Sequence, residues 1–209
     1  MGETLDAPLR AARDYYSEKV RRHGATPLGV DWSCAPTQEL RFIQLMKLCD
    51  FSKPLSINDL GCGYGALYGF LVRRRKSVGL DYLGIDISEE MIAAATRKWA
   101  HRPQAKFKLA THAYRVADYT LASGVFNVKL GCPRDDWEKA VRAAVEIMST
   151  RSRSGFAVNF LRRLDELDDI PELYRCDPEP WIRFCESLGT SVEVLDCYGM
   201  PEFTLLARR

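Results

Sequence analysis

A glycine-rich run at positions 59–65 is the part of this 209-residue chain whose residue types best suit ligand binding. It reads Asp59-Leu60-Gly61-Cys62-Gly63-Tyr64-Gly65, with a strand-like run before it and helical apolar spacing at 66–72 after it. A strand that turns through glycines into a helix presents backbone N–H groups and the positive end of the helix dipole. Glycine is needed because a side chain would block the ligand and disfavour positive φ angles. The alternative is a tight turn without a ligand.

A second candidate is Asp86, which closes the strand-like run 82–86 and follows Gly65 by 21 positions. A carboxylate at that spacing can accept hydrogen bonds from both hydroxyls of a ribose. The glycine run and Asp86 together predict a nucleoside-containing cofactor. The alternative is an aspartate that ends a strand and has no relation to the glycine turn.

Two cofactor classes fit the glycine run. Gly61, Gly63 and Ala66 match the dinucleotide pattern G-x-G-x-x-A. Asp59, two positions before the first glycine, favours a different ligand, because its carboxylate would attract an ammonium group and repel a pyrophosphate.

The run 59–65 resembles the first motif of the class I S-adenosylmethionine-dependent methyltransferases, and residues 84–88 with Met91 resemble the second. The resemblance extends over 55–209 and is specific mainly in these two motifs. It implies S-adenosyl-L-methionine as the cofactor, with its ribose at Asp86. The methionine part would lie at Asp59 and the loop residues Gly61, Cys62 and Gly63, and the adenine would lie between Ile87 and Met91. A plain core contact is the alternative for Met91.

The rest of the chain alternates between strand and helix patterns, which predicts an α/β fold: a doubly wound, mostly parallel sheet with helices on both faces. Only five residues separate the last two strands, too few for a parallel crossover, so an antiparallel C-terminal hairpin is expected. Such a closing hairpin is typical of the family resembled and unusual for a dinucleotide fold. The predicted helices include 88–100, 135–148 and 179–188. The seven predicted strands are 56–60, 82–86, 106–110, 119–126, 156–161, 192–197 and 203–207.

Ligands of open parallel sheets lie at the carboxyl ends of the strands. In the family resembled, the segment after the fourth strand faces the sulfonium and the acceptor, which assigns Ser123 and Gly124 to the cofactor and Asn127 to the catalytic site. Asn159 lies among apolar residues of the fifth strand and must bond either the backbone or a substrate, since an unpaired amide there would cost about 1–3 kcal/mol. The family resembled often places an acid or amide after the third strand to accept from adenine. Here no carboxylate comes before Asp118, so Thr111 or backbone groups are expected in that role, with His112 on the surface.

Residues 1–54 are predicted to form a helical N-terminal extension that acts as a lid on the cofactor domain 55–209. Tyr16 and Trp32 offer π faces to a cationic sulfonium, and Arg41 is placed near the cofactor carboxylate. His23 is the candidate general base by residue type. The alternatives are core aromatic side chains and a solvated arginine.

A second lid is predicted over 162–177, a segment that is long for a plain connection and carries several acids and Tyr174. The acids are Asp165, Glu166, Asp168 and Asp169.

Composition narrows the function classes. With 46% hydrophobic residues the chain can bury a full core without disulfides, and a net charge of +2 argues against non-specific nucleic-acid binding. Seven cysteines without a C-x-x-C pair, and three scattered histidines, predict free thiols and no metal site. Neither a signal sequence nor an apolar run of membrane-spanning length is present, so a cytoplasmic monomer or homodimer is expected.

The sequence therefore predicts methyl transfer from S-adenosylmethionine to an O, N or S atom of a small-molecule acceptor. Within the family resembled, amino methyltransferases of nucleic acids carry an N/D-P-P-Y/F run after the fourth strand, and its absence here counts against nucleic-acid bases as acceptors. Three alternatives stay open: an enzyme that directs other chemistry on the cofactor, such as cyclisation of its aminobutyrate arm, a non-catalytic binding module, and a dinucleotide-dependent oxidoreductase.

Overall fold

A computed structural model of the chain describes residues 7–74, 79–164 and 170–209. Helices and strands alternate as predicted over most of it. The helices are α1 Ala7–His23, α2 Ala35–Met46, α3 Ala66–Arg74, α4 Glu89–Lys98, α5 Arg134–Thr150 and α6 Pro178–Ser187, with a 3₁₀ turn at Pro27–Val30. The strands are β1 Leu55–Leu60, β2 Leu80–Asp86, β3 Ala105–Leu109, β4 Ala117–Ala122, β5 Ser152–Arg162, β6 Arg175–Cys176, β7 Ser191–Leu195 and β8 Glu202–Arg208.

The strands form one sheet in the order β3-β2-β1-β4-β5-β8-β7, with β6 paired to the end of β5. Strands β1 to β5 run parallel to one another, and β8 is antiparallel to both β5 and β7. This arrangement confirms the mostly parallel sheet and the C-terminal hairpin. The strand order reverses between β1 and β4, which is where ligands of such sheets bind.

Two details of the strand prediction were wrong. An eighth strand, β6, was missed because it has two residues and no periodicity that a sequence could display. The fourth strand ends at Ala122 and not at position 126, because Gly124 has φ +73° and turns the chain away from the sheet.

The sheet has an apolar core on each face. One core, with α2 and α3, contains Ile57, Tyr82 and Leu121, and the other, with α5 and α6, contains Leu83, Phe156 and other side chains. Successive strand residues point to opposite faces of the sheet, so each of these strands contributes side chains to both cores. Most residues of β1, β2 and β4 are therefore buried.

Helix α2 packs into the core and not outside it. Phe42, Leu45 and Met46 are buried in the same cluster as β1 and α3. Of the extension predicted for 1–54, only α1 and the 3₁₀ turn remain as candidates for a lid.

Candidate functional site

The glycine loop between β1 and α3 adopts the backbone that its sequence predicts. Gly61, Gly63 and Gly65 have φ angles of +68°, +52° and +78°, where a side chain is strained. A Cβ at Gly63 would lie 2.9 Å from Val30 Cγ1, and one at Gly65 would lie 2.6 Å from Trp99 Nε1. The loop is therefore packed between α4 and the 3₁₀ turn and has no room for larger residues.

Asp86 is buried at the carboxyl end of β2 and ties the loop to the start of α4. Its Oδ2 accepts from the backbone N–H of Gly63 at 2.9 Å, and its Oδ1 accepts from the N–H of Ser88 at 2.9 Å. Burial raises the pKa of Asp86, and these backbone donors act in the opposite direction. Each oxygen keeps a second lone pair, so the carboxylate can still accept from a ligand's hydroxyls. Ser88 caps α4 as its sequence predicts, since its Oγ accepts from Met91 N.

Asp59 lies at the end of β1 and is also buried. Its Oδ2 accepts a hydrogen bond from the hydroxyl of Tyr82 on β2. Burial raises the pKa of Asp59 to about 7, and the charge of Asp86 acts in the same direction. A buried carboxyl with such a pKa is a favourable site for a cationic group of a ligand.

A cavity of about 480 Å³ joins these groups at the point where the strand order reverses. Its volume is in the range typical of small-molecule sites. Of the fifteen residues that the sequence places at the cofactor or the catalytic site, thirteen line this cavity: Tyr16, Trp32, Arg41, Asp59, Gly61, Cys62, Gly63, Asp86, Ile87, Met91, Ser123, Gly124 and Asn127.

His23 is not among them. It is exposed at the last position of α1, roughly 10 Å along the helix axis from Tyr16 at 1.5 Å per residue. The expectation that His23 lies beside the acceptor is wrong, because the helix continues past the cavity before the chain turns at Gly24.

Asn159 is the other candidate that does not line the cavity, and its hydrogen-bond partners are groups of the protein itself. Its Oδ1 accepts from the backbone N–H of Gly124 at 2.8 Å, and its Nδ2 donates to Glu202 Oε2 at 3.2 Å. Asn159 is thus a positioning residue that holds the turn after β4. Its predicted catalytic contact is wrong, because the amide is fully buried inside β5 between β4 and β8.

Arg41 is buried and not solvated. Its Nε and Nη2 donate to the carboxylate of Glu202, and its guanidinium lies over the ring of Trp32, 3.9 Å from the centroid. Nη1 is the atom that a Cβ at Gly124 would strike, so this nitrogen borders the cavity. Glu202 therefore fixes the orientation of the guanidinium, and Nη1 lies against Gly124 at the edge of the cavity. One face of the Trp32 ring, which was expected to face the sulfonium, is therefore covered by the Arg41 guanidinium.

Tyr16 and Asp31 close the cavity from the α1 side. Burial raises the pKa of Tyr16, which keeps its hydroxyl protonated. Asp31 accepts from Tyr15 and forms an ion pair with Lys19 at 2.6 Å, which holds the 3₁₀ turn against α1. Val20 of α1 packs in a small cluster with Met91 of α4. The lid candidate is thus fastened to the cofactor side of the domain.

Among the described residues, Asn127 Oδ1 is the one buried side-chain oxygen without a hydrogen-bond partner. The Asn127 side chain is 6% exposed and lines the cavity. An unpaired buried amide oxygen costs about 1–3 kcal/mol, so this position favours a ligand that donates to it.

The sequence interpretation missed His112, which was expected on the surface. It lines the cavity half-buried, and its Nδ1 is 2.8 Å from Thr111 Oγ1. The signal that predicts this is its place just after β3, at the carboxyl edge of the parallel strands.

The predicted second lid is described only at its ends. Its acids Asp165, Glu166, Asp168 and Asp169 lie outside the described residues. Tyr174 was expected in this lid and is instead fully buried, with its hydroxyl donating to Glu138.

No helix in the described ranges has the length and apolar character to cross a bilayer. Those ranges also contain no group of three or more His, Cys, Asp or Glu side chains able to hold a metal ion.

Comparisons with known proteins agree with the fold and the cavity. A family model described as a methyltransferase domain matches residues 57–150. "Putative methyltransferase Rv1506c" of Mycobacterium tuberculosis (strain ATCC 25618 / H37Rv) is 39% identical over 166 residues, which cover 78% of this chain and 99% of that protein.

Two solved structures share the fold at low sequence identity. Magnesium protoporphyrin IX methyltransferase from Synechocystis PCC 6803, with bound S-adenosylmethionine, has a TM-score of 0.64 at 16% identity, with both chains fully covered. Human N-acetylserotonin methyltransferase, in complex with the same cofactor, has a TM-score of 0.66 at 17% identity, over 100% of this chain and 60% of that one.

These findings define the class of protein. The chain belongs to the class I S-adenosylmethionine-dependent methyltransferase family, as the glycine run and the residues around Asp86 predict. The family's cofactor is S-adenosylmethionine.

Proposed function

We propose that this methyltransferase transfers the methyl group of S-adenosylmethionine to an O, N or S atom of a small molecule held beside Asn127. The observation that carries the proposal is that one cavity contains both the Asp86–Gly63 corner and the unpartnered Asn127 Oδ1. The Asp86–Gly63 corner suits a ribose, and Asn127 Oδ1 suits a hydrogen-bond donor on the acceptor.

The residues present fit the cofactor. Asp86 receives the ribose hydroxyls, and Asp59 receives the ammonium group of the methionine part. Arg41 Nη1 takes its carboxylate, while Ile87 and Met91 border the adenine. Buried charges need partners of opposite sign. The cavity offers the acidic side chain of Asp59 to the ammonium group and the basic side chain of Arg41 to the carboxylate.

The cofactor supplies an electrophilic methyl group with a good leaving group. The protein's share is to orient the acceptor for in-line attack and to exclude water, and positioning of this kind supplies most of the rate. Asn127 Oδ1 orients the acceptor's donor group. His112 replaces His23 as the candidate base, because it lines the same cavity.

The direct test is to incubate the protein with S-adenosylmethionine and a set of small phenols, amines and thiols and to identify the cofactor product by mass spectrometry. We expect S-adenosylhomocysteine in amounts that depend on the acceptor. Methylthioadenosine formed without an acceptor would assign the chemistry to cyclisation of the aminobutyrate arm and would contradict the proposal.

Asp86→Ala is expected to weaken S-adenosylmethionine binding by about 1.5–3 kcal/mol, the range for hydrogen bonds to a charged group. Calorimetric titration measures it. Asp81→Ala is the matched control, since Asp81 is an exposed carboxylate on the same strand that pairs with Arg115. Equal affinities of a folded Asp86→Ala protein and the wild type would remove Asp86 from the ribose role.

Cofactor affinity is expected to fall as the pH drops below about 7. With its pKa at about 7 in the free protein, Asp59 is protonated at lower pH and must lose that proton to pair with an ammonium group. Affinity should be roughly tenfold weaker at pH 6 than at pH 8, a one-proton dependence. Calorimetry at both pH values tests this. Asp59→Asn is expected to bind weakly and without this pH dependence, and an unchanged dependence in that variant would assign it to another group.

A further inference from the structure

The connection between β3 and β4 crosses the sheet without a helix. The crossovers from β1 to β2, from β2 to β3 and from β4 to β5 each contain one, whereas residues 110–116 form an irregular segment with bends. Ala113 is buried against the sheet and is the middle of this crossover. On the same face, Lys106 and Lys108 of β3 are exposed, as expected for a strand that no helix covers.

A groove results between this crossover and α5. On the α5 side it is lined by Ala140, Ala143, Ala144 and Ile147, which recur at helical spacing and are half-buried or exposed. Residues 110–112 and Val125 line the opposite side. Between Trp137 and Ile147 the cavity lining follows α5 for about 15 Å at 1.5 Å per residue. We call this the α5 groove.

The α5 groove is continuous with the cofactor cavity, and Asn127 lies at the junction. Trp137 Nε1 donates to the carbonyl of Phe126 at 3.1 Å, which fixes the first turn of α5 beside Asn127. The unpartnered Asn127 Oδ1 is thus at one end of an apolar channel, and Ile147 is at the other.

The lining has the character of a hydrocarbon site. Among the residues that the structure describes, no acid, lysine or arginine lines the α5 groove. The neighbouring crossover and β3 also expose Leu109, Tyr114 and Val116, three of the seven large hydrophobic side chains that are exposed in the described residues. An apolar surface joined to a small-molecule cavity is a common binding feature for the apolar part of a ligand.

We infer that the acceptor is an uncharged amphipathic molecule with an elongated hydrocarbon segment that lies along the α5 groove and a hydroxyl-type donor at Asn127. This inference rests on the proposed methyl transfer and names the acceptor's class. The hydrocarbon segment fixes the molecule along α5, and the hydrogen bond to Asn127 Oδ1 sets the end that faces the cofactor cavity.

The test uses 4-methylphenol, 4-butylphenol and 4-heptylphenol, whose affinities are measured by calorimetry with the protein saturated by S-adenosylhomocysteine. Each buried methylene is expected to tighten binding roughly fourfold, which corresponds to about 0.8 kcal/mol. Asn127→Ala should weaken all three phenols by the same factor, roughly fivefold for one neutral hydrogen bond.

Ala143→Leu places bulk in the α5 groove at an exposed position of a helix, where leucine is well tolerated. It should abolish the gain in affinity from the longer chains. Glu146→Leu is the matched control, since Glu146 is exposed on the same helix and does not line the groove. This variant should retain the full dependence on chain length.

The outcomes separate the inference from the function on which it rests. If S-adenosylmethionine binds normally but affinity does not rise with chain length, or no phenol binds, the inference is wrong and the cofactor site stands. If the cofactor itself does not bind, the proposed function is wrong. A dimer in sedimentation velocity that Ala143→Leu dissociates and Glu146→Leu does not would assign the α5 groove to a second copy of the chain and overturn the inference.

Discussion

Gly63→Val is expected to abolish S-adenosylmethionine binding while the protein remains folded. Position 63 has φ +52°, which a β-branched residue adopts only with strain, and its Cβ would be 2.9 Å from Val30 Cγ1. The backbone N–H of Gly63 also donates to Asp86, so a shift of the loop displaces both proposed cofactor contacts together. We expect a loss of affinity of more than about 100-fold, or about 2.8 kcal/mol, in calorimetry.

The control for Gly63→Val must carry the same backbone strain away from the cavity. Gly199 has φ +76° and open space around its Cβ, at the tip of the β7–β8 hairpin. Gly199→Val should lower the melting temperature and leave the cofactor affinity unchanged. Circular dichroism in the far ultraviolet should be close to normal for both variants. Retained binding by Gly63→Val would mean that the loop is only a turn.

Deletion of residues 1–31 is expected to leave a folded protein with much weaker cofactor binding and almost no turnover. The sheet, both cores and α2 lie after the deleted segment. The deletion removes Tyr16, Val30 and Asp31 from the cavity wall, so water reaches the methyl group and the acceptor is less well held. Calorimetry gives the affinity, and release of S-adenosylhomocysteine gives the turnover.

A milder change in the full chain provides the comparison for this deletion. Arg21 pairs with Glu90 across the α1–α4 contact, so Arg21→Ala loosens the lid without removing any part of the cavity wall. Because that pair is largely exposed, its loss should reduce turnover only modestly. If the truncated protein binds and turns over like the full chain, α1 is packing on the outside of the domain and is not a lid.

The sequence predicted the parts of the site that depend on local backbone geometry. The glycine turn, the capping of α4 by Ser88 and the closing hairpin each follow from rules that act within a few residues. Asp86 is found because its distance from the loop is set by one helix, α3, and one strand, β2.

The parts that depend on contacts between distant segments were not predictable. Asn159 and Arg41 both donate to Glu202, which is 161 positions after Arg41. No local pattern shows that β8 brings a carboxylate to α2. The same is true of the sheet face beside β3, where a seven-residue connection replaces a helix and leaves the α5 groove open.

Two histidines, His23 and His112, show how residue type and position in the fold differ as guides to the site. His23 was chosen by residue type, and it lies outside the cavity, exposed at the last residue of α1. His112 was set aside as a surface residue, although its place after β3 predicts the ligand edge of the sheet. Position along the strand order was therefore the better guide.

We propose that the cavity at Asp59, Gly63 and Asp86 is the S-adenosylmethionine site of this protein. Calorimetric titration of the wild-type protein at pH 8 with S-adenosylmethionine, S-adenosylhomocysteine and NAD in parallel tests it most directly. We expect saturable binding of the first two at one site per chain and no heat of binding with NAD. Saturable binding of NAD without binding of S-adenosylmethionine would contradict the account.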